Sequence, residues 1–398
     1  MSQDMENRPH KFKDKAIVLG VPIDNQPIVF FIKKIQEAIL RKKQIKIYTP
    51  NPEICLKAEG DGGFKHVLET ADYNLPDGFG LKLGAKILDE NLDYRVCGSD
   101  LVKYIIEKFN NQQVYIVLRS DSLTKEADLK KTIDDYRIFY RVGTVDKDRP
   151  FDCDKILNEI NDFKPQIVFV CLGAPEQEMW IDKYSRFLPD VNVAIGVGGS
   201  FDFLTGKIKR APKVMRENGL EWAYRLYQEP KRLIRIKHAV ADFLLKCHEW
   251  KRRIKNEYRE NVVGVVVNKK GEYLVQKNMR LKDHWQFPQG GVDKGETQEE
   301  AVIREVGEEI GTDEQFLKII KKIPENHVYD WYPYAQKLKG YKGQKQNVFL
   351  LEFSGRNSDI DHSDSYEVEE IKWVAKDDIV RSLHPIRREF GEKIVKHL

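Results

Sequence analysis

WQFPQGGVDKGETQEEAVIREVGEEIGT, residues 285–312, is the stretch from which the C-terminal fold is read. Gly290, Glu296, Arg304, Glu305, Glu308, Glu309 and Gly311 fall at the spacing G-x5-E-x7-R-E-U-x-E-E-x-G-U, with U a bulky aliphatic residue. Thr312 stands where the last aliphatic residue belongs, a departure that touches packing and no ligand. After the Gly290-Gly291 turn, the residues from about Thr297 to Ile310 read as a helix. Val302, Val306 and Ile310 recur at i, i+4 and i+8 and face a core. Glu305, Glu308 and Glu309 are spaced i, i+3, i+4 and project from one face. Clustered carboxylates repel one another and are hard oxygen ligands, a combination suited to Mg²⁺ or Mn²⁺ bound with a polyphosphate. Most glutamate runs are solvated helix faces. Two glycines, an arginine and four glutamates in one register argue against that here.

This spacing is the Nudix box, and the segment resembles a Nudix hydrolase with an α/β/α fold. The resemblance implies that Glu305, Glu308 and Glu309 supply metal ligands and the base, with Glu296 and Arg304 orienting the loop and helix. Glu367, in SYEVEEIKWV, resembles a further acidic metal ligand, with Glu369 and Glu370 as acidic neighbours. The segments HWQFPQGG, VYDWYP (328–333) and GQKQNVFLLEF (343–353) together resemble the branch that removes pyrophosphate from 5′-triphosphorylated RNA or cleaves diadenosine polyphosphates. Gln344 and Lys345 then reach phosphates, and Tyr329 or Tyr332 stacks on a base. Trp331 and Phe349 are at least as well explained by core packing. No long basic patch surrounds the site, so a short RNA 5′ end or a dinucleotide fits better than a duplex.

The chain has 398 residues, of which 41% are hydrophobic and 33% charged, with a formal net charge of +4. That composition is ordinary for a soluble globular protein, and the charge alone indicates neither a nucleic-acid binder nor an acidic tail. Residues 261–398 suffice for the Nudix domain, so residues 1–260 need a fold of their own. The 5 cysteines are scattered, without C-x-x-C spacing, and read as reduced thiols. The N-terminal residues are polar and lack the apolar core of a signal peptide. No apolar run reaches the length of a membrane span. A cytoplasmic protein is expected, with contact to the inner face of the cell membrane left open, as is a homo-oligomer.

From Lys15 to about Ser200, short apolar runs alternate with helical patterns: AIVLGV (16–21), IKIYT (45–49), QVYIVL (113–118), RIFYRVG (137–143), QIVFVCLG (166–173) and VNVAIGVGG (191–199). Continuous apolar strands between helices indicate an α/β domain with a mostly parallel sheet covered on both faces. In such folds ligands bind at the carboxyl ends of the strands. The residues there are polar or glycine-rich, and no G-x-G-x-x-G follows the first strand, which disfavours a nicotinamide or flavin enzyme.

Those strand-end segments carry a second resemblance. PDGFG, RVCGSDL, LGAPEQE, GVGGSFDFLTGKIKRAP and GLEWAYRLYQEPKR occur in that order. They are similar to the WecG/TagA/CpsF glycosyltransferases (family 26), over roughly residues 16–237. The resemblance implies a Rossmann-like domain with a helical appendage. It also implies inverting transfer, without metal, of an N-acetylmannosamine-type sugar from a UDP-sugar to a polyprenyl-diphosphate-linked acceptor. An inverting transferase needs a base for the acceptor hydroxyl and stabilisation of the departing diphosphate. Asp77, between Pro76 and Gly78, matches the family's catalytic base; taken alone it reads equally well as a turn aspartate. Thr49, Asn51 and Gln177 match polar pocket positions, and each alone is more often a cap or loop residue.

Two D-x-D triplets, Asp146–Asp148 and Asp152–Asp154, lie in a charged loop and read as solvated. From Lys231 to Glu260 there are 10 Lys/Arg against 4 Asp/Glu. Leu233, Ile236, Val240, Phe243 and Cys247 recur at helical spacing, which makes an amphipathic basic helix. It packs on its own domain, lies on an anionic membrane surface, or links the domains. The family resemblance gives it both of the first two roles, and matches Arg225, Arg232 and Arg235 to arginines that bind the UDP diphosphate. The expected division is a glycosyltransferase domain at 1–229, the appendage and linker at 230–260, and a Nudix domain at 261–398. Two alternatives stand beside a separate nucleotide 5′-polyphosphate hydrolase: hydrolysis of a UDP-sugar or by-product of the same pathway, and a regulatory binding module.

Overall fold

A computed structural model of the protein describes residues 15–398 except 135, 213, 216–223, 225–232, 280, 364 and 366, with backbone only at 233–239. The chain divides into two compact units, His10–Lys251 with Lys337–Gly340, and Arg252–Gln336 with Tyr341–Leu398.

The first unit opens with two short strands, β1 (Lys15–Val18) and β2 (Val21–Asp24). The run AIVLGV is therefore not a strand of the main sheet. Leu19 and Gly20 have φ of 50° and 81°, which folds the run into a tight antiparallel hairpin with Lys15 opposite Asp24. Positive φ at both central residues suits the twist of a two-residue hairpin, and glycine adopts it without a Cβ clash. Six further strands form one sheet: β3 (Ile45–Tyr48), β4 (Tyr73–Asn74), β5 (Gln113–Arg119), β6 (Phe139–Val145), β7 (Ile167–Cys171) and β8 (Val193–Gly196). Their order is β4-β3-β8-β7-β5-β6, and every pairing is parallel. β7 and β8 are buried along their whole length, as a sheet covered on both faces requires. Ile47, Val114, Ile116, Ile167, Phe169 and Ile195 belong to one buried cluster with helical Phe31, Leu101 and Ile105.

The basic amphipathic segment forms the helix Leu233–Asn256. Within its described side chains, Phe243, Cys247 and Trp250 are buried one turn apart. A Cβ on Gly84 would meet Phe243 and Cys247, so the apolar face packs on the helix Phe79–Ile87 of the same unit. All five cysteines are free and buried. Among the described residues no helix is long and apolar enough to cross a membrane.

The second unit is a mixed sheet built on β9 (Tyr258–Asn268), with β10 (Tyr273–Asn278), β11 (Trp285–Gln286), β12 (Gln289–Gly291), β13 (Leu317–Asp330), β14 (Gly343–Phe353) and β15 (Val368–Val374). β9 and β14 run parallel and the other pairings are antiparallel. Successive residues of a strand face opposite sides. Val262 and Val266 accordingly join the cluster of Val302, Val306 and Ile310, whereas Val263 and Val265 join that of Phe390 and Ile394. The sheet thus lies between the helices Gln298–Ile310 and Pro385–Val395, an α/β/α arrangement. Thr297 caps the first of these reciprocally: its side chain accepts from Glu300 N at 3.2 Å, and Thr297 N donates to Glu300 Oε2 at 2.9 Å. Gly311 ends the helix at φ 65°. Replacing Thr297 by Ala should lower the stability of this unit by about 1 kcal/mol, read from its unfolding transition in calorimetry.

Candidate functional site

The carboxyl ends of β3, β8 and β7 lie side by side, and a cavity of about 570 Å³ opens there. Thr49, Asn51, Asp77, Gln177 and the Gly198-Gly199 turn line it, together with Lys57, Arg119 and Asp202. Each side chain arrives by a local device. Thr49 follows β3, is buried, and donates its hydroxyl to Gly196 O at the end of β8, 2.9 Å away. Asn51 caps the helix Pro52–Gly60, its Oδ1 accepting from Ile54 N at 3.0 Å. Its capping role and its place in the cavity wall coexist, because only the oxygen is used by the cap. Asp77 N–H donates to Pro50 O at 3.0 Å, and Gly78 turns the chain away at φ 92° into the helix Phe79–Ile87.

Gln177 is buried in the first turn of the helix Glu176–Tyr184. Its Oε1 accepts from Gly198 N at 2.9 Å and its Nε2 donates to Glu178 Oε1 at 2.7 Å. Glu178 is fully buried, and burial pushes its carboxyl up to about 8 against the opposing hydrogen bond from Gln177. Lys57 Nζ donates to Ala174 O at 2.6 Å, and Arg119 is held by Asp121 at 2.6 Å and by Leu172 O at 3.2 Å. Asp202 accepts from both the backbone and the hydroxyl of Thr124.

Sequence reasoning missed Lys57, Arg119 and Glu178. Arg119 ends the strand run QVYIVL, so the strand-end rule reaches it; Glu178 adjoins Gln177 within LGAPEQE. Arg225 and Arg232 lie outside the described residues, and Arg235 is described only as backbone within Leu233–Asn256.

In the second unit, Arg304 organises the box. It donates to Glu296 at 2.7 and 2.9 Å, to Glu305 at 3.0 Å, to Glu308 at 3.4 Å and to Gly291 O at 3.1 Å. That guanidinium holds the Glu296 carboxyl down to about 2. A Cβ on Gly290 would lie 1.8 Å from the Glu305 carboxyl carbon, so this glycine leaves the space that the carboxylate fills. Glu309 is buried, accepting from Gln289 N at 2.7 Å and Gln276 Nε2 at 2.8 Å. Burial pushes it up to about 8, and the negative charges of Glu367 and Glu305 add to the rise.

The three box glutamates share a helix but not an environment: Glu309 is buried, Glu305 is half-buried against Arg304, and the Glu308 side chain is 62% exposed. Among the described residues no three His, Cys, Asp or Glu side chains converge as a ready metal cage. The donor set still suits a hard divalent cation. It is all oxygen, its members repel one another at Glu309, and beside it Gln276 Oε1 is buried without a hydrogen-bond partner.

Gln344 Oε1 accepts from Tyr329 at 3.1 Å, and Lys345 pairs with Glu260 at 3.2 Å. Tyr332 and Trp331 are half-buried, whereas Phe349 is a core residue. Gln346 was not singled out in the sequence; it is fully buried, bonds Asn261 and Gln289, and accepts from Arg387 at 3.3 Å.

Against known proteins, the model of the glycosyl transferase WecG/TagA/CpsF family matches residues 16–257. The chain belongs to that family. A NUDIX domain matches residues 257–397, so the chain is an enzyme that joins a glycosyltransferase to a Nudix hydrolase domain. A relative from Bacillus spizizenii, an N-acetylglucosaminyldiphosphoundecaprenol N-acetyl-beta-D-mannosaminyltransferase, is 34% identical over 212 residues, 52% of this chain and 80% of its own. A protein of the same description from Staphylococcus aureus is 28% identical over 247 residues, 61% of this chain and 95% of its own. Among solved structures, a C. elegans Ap4A hydrolase is 23% identical with a TM-score of 0.29, covering 35% of this chain and 96% of its own. A MutT protein from Methanosarcina mazei is likewise 23% identical, with a TM-score of 0.27 and coverage of 35% and 94%.

Thr49 serves the scaffold as well as the cavity. Thr49→Val removes its hydrogen bond to Gly196 O and should lower the stability of the first unit by about 1 kcal/mol in denaturant unfolding.

Proposed function

We propose that the first unit transfers an N-acetylmannosamine-type sugar, with inversion, from a UDP-sugar to a polyprenyl-diphosphate-linked acceptor. The observation that carries this reading is the single cavity at three adjacent strand ends that collects Thr49, Asn51, Asp77 and Gln177. The relatives' described activity supports the same donor and acceptor classes. Asp77 removes the proton from the acceptor hydroxyl. Thr49, Asn51 and Gln177 hold sugar hydroxyls, and Arg225, Arg232 and Arg235 of the appendage hold the diphosphate. The lipid-linked acceptor places the enzyme at the cytoplasmic membrane surface, with residues 230–260 as the contacting appendage between domains at 1–229 and 261–398.

We further propose that the second unit hydrolyses a nucleotide 5′-polyphosphate, either a triphosphorylated RNA end or a dinucleoside polyphosphate. Glu305, Glu308, Glu309 and Glu367 are the residues that would hold Mg²⁺ or Mn²⁺. The ion supplies charge neutralisation for water attack on phosphorus. Arg304 fixes the helix against the Gly290-Gly291 loop, and Gln344, Lys345 and Tyr329 take the remainder of the substrate. The influence of the Glu367 and Glu305 charges on the buried Glu309 carboxyl supports this assignment, because a cation held there would offset those like charges.

Asp77→Asn should lower the turnover number of sugar transfer by about 10²–10⁴-fold while UDP-sugar binding, measured by calorimetry, persists. Loss of binding together with activity removes the base assignment. Glu308→Gln should abolish Mg²⁺-dependent cleavage in a mass-spectrometric panel of dinucleoside polyphosphates, triphosphorylated RNA and UDP-sugars. Turnover confined to UDP-sugars would place the hydrolase in the transferase's own pathway instead.

A further inference from the structure

Beneath the transferase cavity lies a group that the fold gains nothing by burying. Glu178 is 0% exposed, and its Oε2 has no hydrogen-bond partner. Its Oε1 accepts from Gln177 Nε2, while Gln177 Oε1 accepts from Gly198 N. The cation across from it, Lys57, comes from the helix Pro52–Gly60 and is itself bonded to Ala174 O. Glu176 faces it from its own helix, and from β3 the Tyr48 hydroxyl donates to its backbone carbonyl at 3.3 Å. A buried acid with an idle oxygen destabilises a fold. An apolar side chain of the same size would pack there without that penalty. Groups kept at such a loss concentrate where function needs them.

We propose that Glu178 is a positioning residue of the transferase, which locks the Gln177 amide so that its second Nε2 hydrogen is presented to the substrate in the cavity. Two contacts make the lock. The Gly198 N–H admits only an oxygen on its side of the amide, and the Glu178 carboxyl draws the nitrogen to the other. One Nε2 hydrogen is consumed by Glu178, and the other remains to meet a hydroxyl or phosphoryl oxygen of the substrate. The same pair fixes the Gly198-Gly199 turn, since Gly198 N is anchored only while Gln177 Oε1 stays in place. Without Glu178 the side chain of Gln177 keeps its volume but loses its orientation. This rests on the transferase reading given above.

The charge state of Glu178 follows from the same burial. Its proton is held up to about 8, against 4.5 for an ordinary glutamate. The folded chain therefore binds more protons than the unfolded chain between those values, and stability falls as pH rises across that window. Above it, a buried carboxylate with one oxygen unbonded sits under the proposed substrate cavity.

The test compares E178Q and E178M in the full chain with a UDP-N-acetylmannosamine donor and a polyprenyl-diphosphate acceptor analogue. E178Q keeps the acceptor oxygen for Gln177 and should transfer at close to the wild-type rate at pH 7. Its alkaline limb above pH 8 should be flattened. E178M should lose roughly tenfold to a hundredfold in kcat/KM, as a misplaced substrate contact does, while its Tm at pH 8 equals or exceeds that of the wild type. Wild-type activity in E178M overturns the proposal. So does a drop in Tm that tracks the drop in activity in both variants, which would make Glu178 a structural residue. Should the wild-type chain transfer no sugar at all, the transferase reading fails on its own. The positioning claim is then decided by calorimetric binding of the UDP-sugar, which E178M should weaken and E178Q should preserve. Equal binding by both variants overturns it.

Discussion

A carboxyl group removed from water must either keep its proton or find compensating partners, and each unit of this chain is organised around one such group. Glu178 lies under the transferase cavity and Glu309 inside the Nudix box, both buried and both pushed up to about 8. Each takes one hydrogen bond from a glutamine amide, Gln177 at 2.7 Å and Gln276 at 2.8 Å. They differ in what else the carboxyl meets. Glu178 leaves Oε2 without a partner, whereas the Gln289 backbone N–H converges with Gln276 on Oε2 of Glu309. The first arrangement serves to orient an amide; the second holds a carboxyl among like charges, which raise its proton affinity.

The scaffolds deliver these groups in different ways. In the parallel sheet the strand order places β8 between its chain neighbour β7 and the sequence-distant β3, so that the three carboxyl ends meet in space. Thr49 is stitched to Gly196, and Gln177 to Gly198, so the cavity wall is cross-linked by residues that line it. In the Nudix unit the delivery is local. A reciprocal cap starts the helix Gln298–Ile310, a left-handed glycine ends it, and Arg304 ties it to Glu296 and Gly291 of the preceding loop. A one-helix device carries its own carboxylates, whereas a strand-end device depends on topology.

That contrast explains what the sequence made legible. The box glutamates, their helix and its buried Val302, Val306 and Ile310 could be read directly, because the 3.6-residue period and the spacing are both local. The parallel sheet was legible from its apolar runs, yet AIVLGV was misjudged. Its hairpin is decided by positive φ at Leu19 and Gly20, which an apolar run does not announce. The different environments of Glu305, Glu308 and Glu309 were also hidden. Spacing puts three carboxylates on one face, but which of them is buried depends on Gln276 and Gln289, contributed by other strands. Glu178 was invisible for the same reason: a glutamate in a charged helical stretch reads as solvated until the sheet is folded over it.

The hydrogen bonds already made within the transferase cavity restrict what its ligand can be. The Thr49 hydroxyl hydrogen is committed to Gly196 O, so toward a ligand Thr49 acts as an acceptor. The Asn51 oxygen is committed to Ile54 N, so the ligand meets its amide nitrogen. The Gln177 oxygen and one of its hydrogens are likewise spoken for, which leaves one donor. Under the proposed assignment the bound molecule offers a hydroxyl hydrogen to Thr49 and lone pairs to Asn51 and Gln177. A polyhydroxylated ring bearing an acyl or phosphoryl oxygen meets both demands at once; a wholly apolar ligand meets neither and would strand three buried or half-buried polar groups.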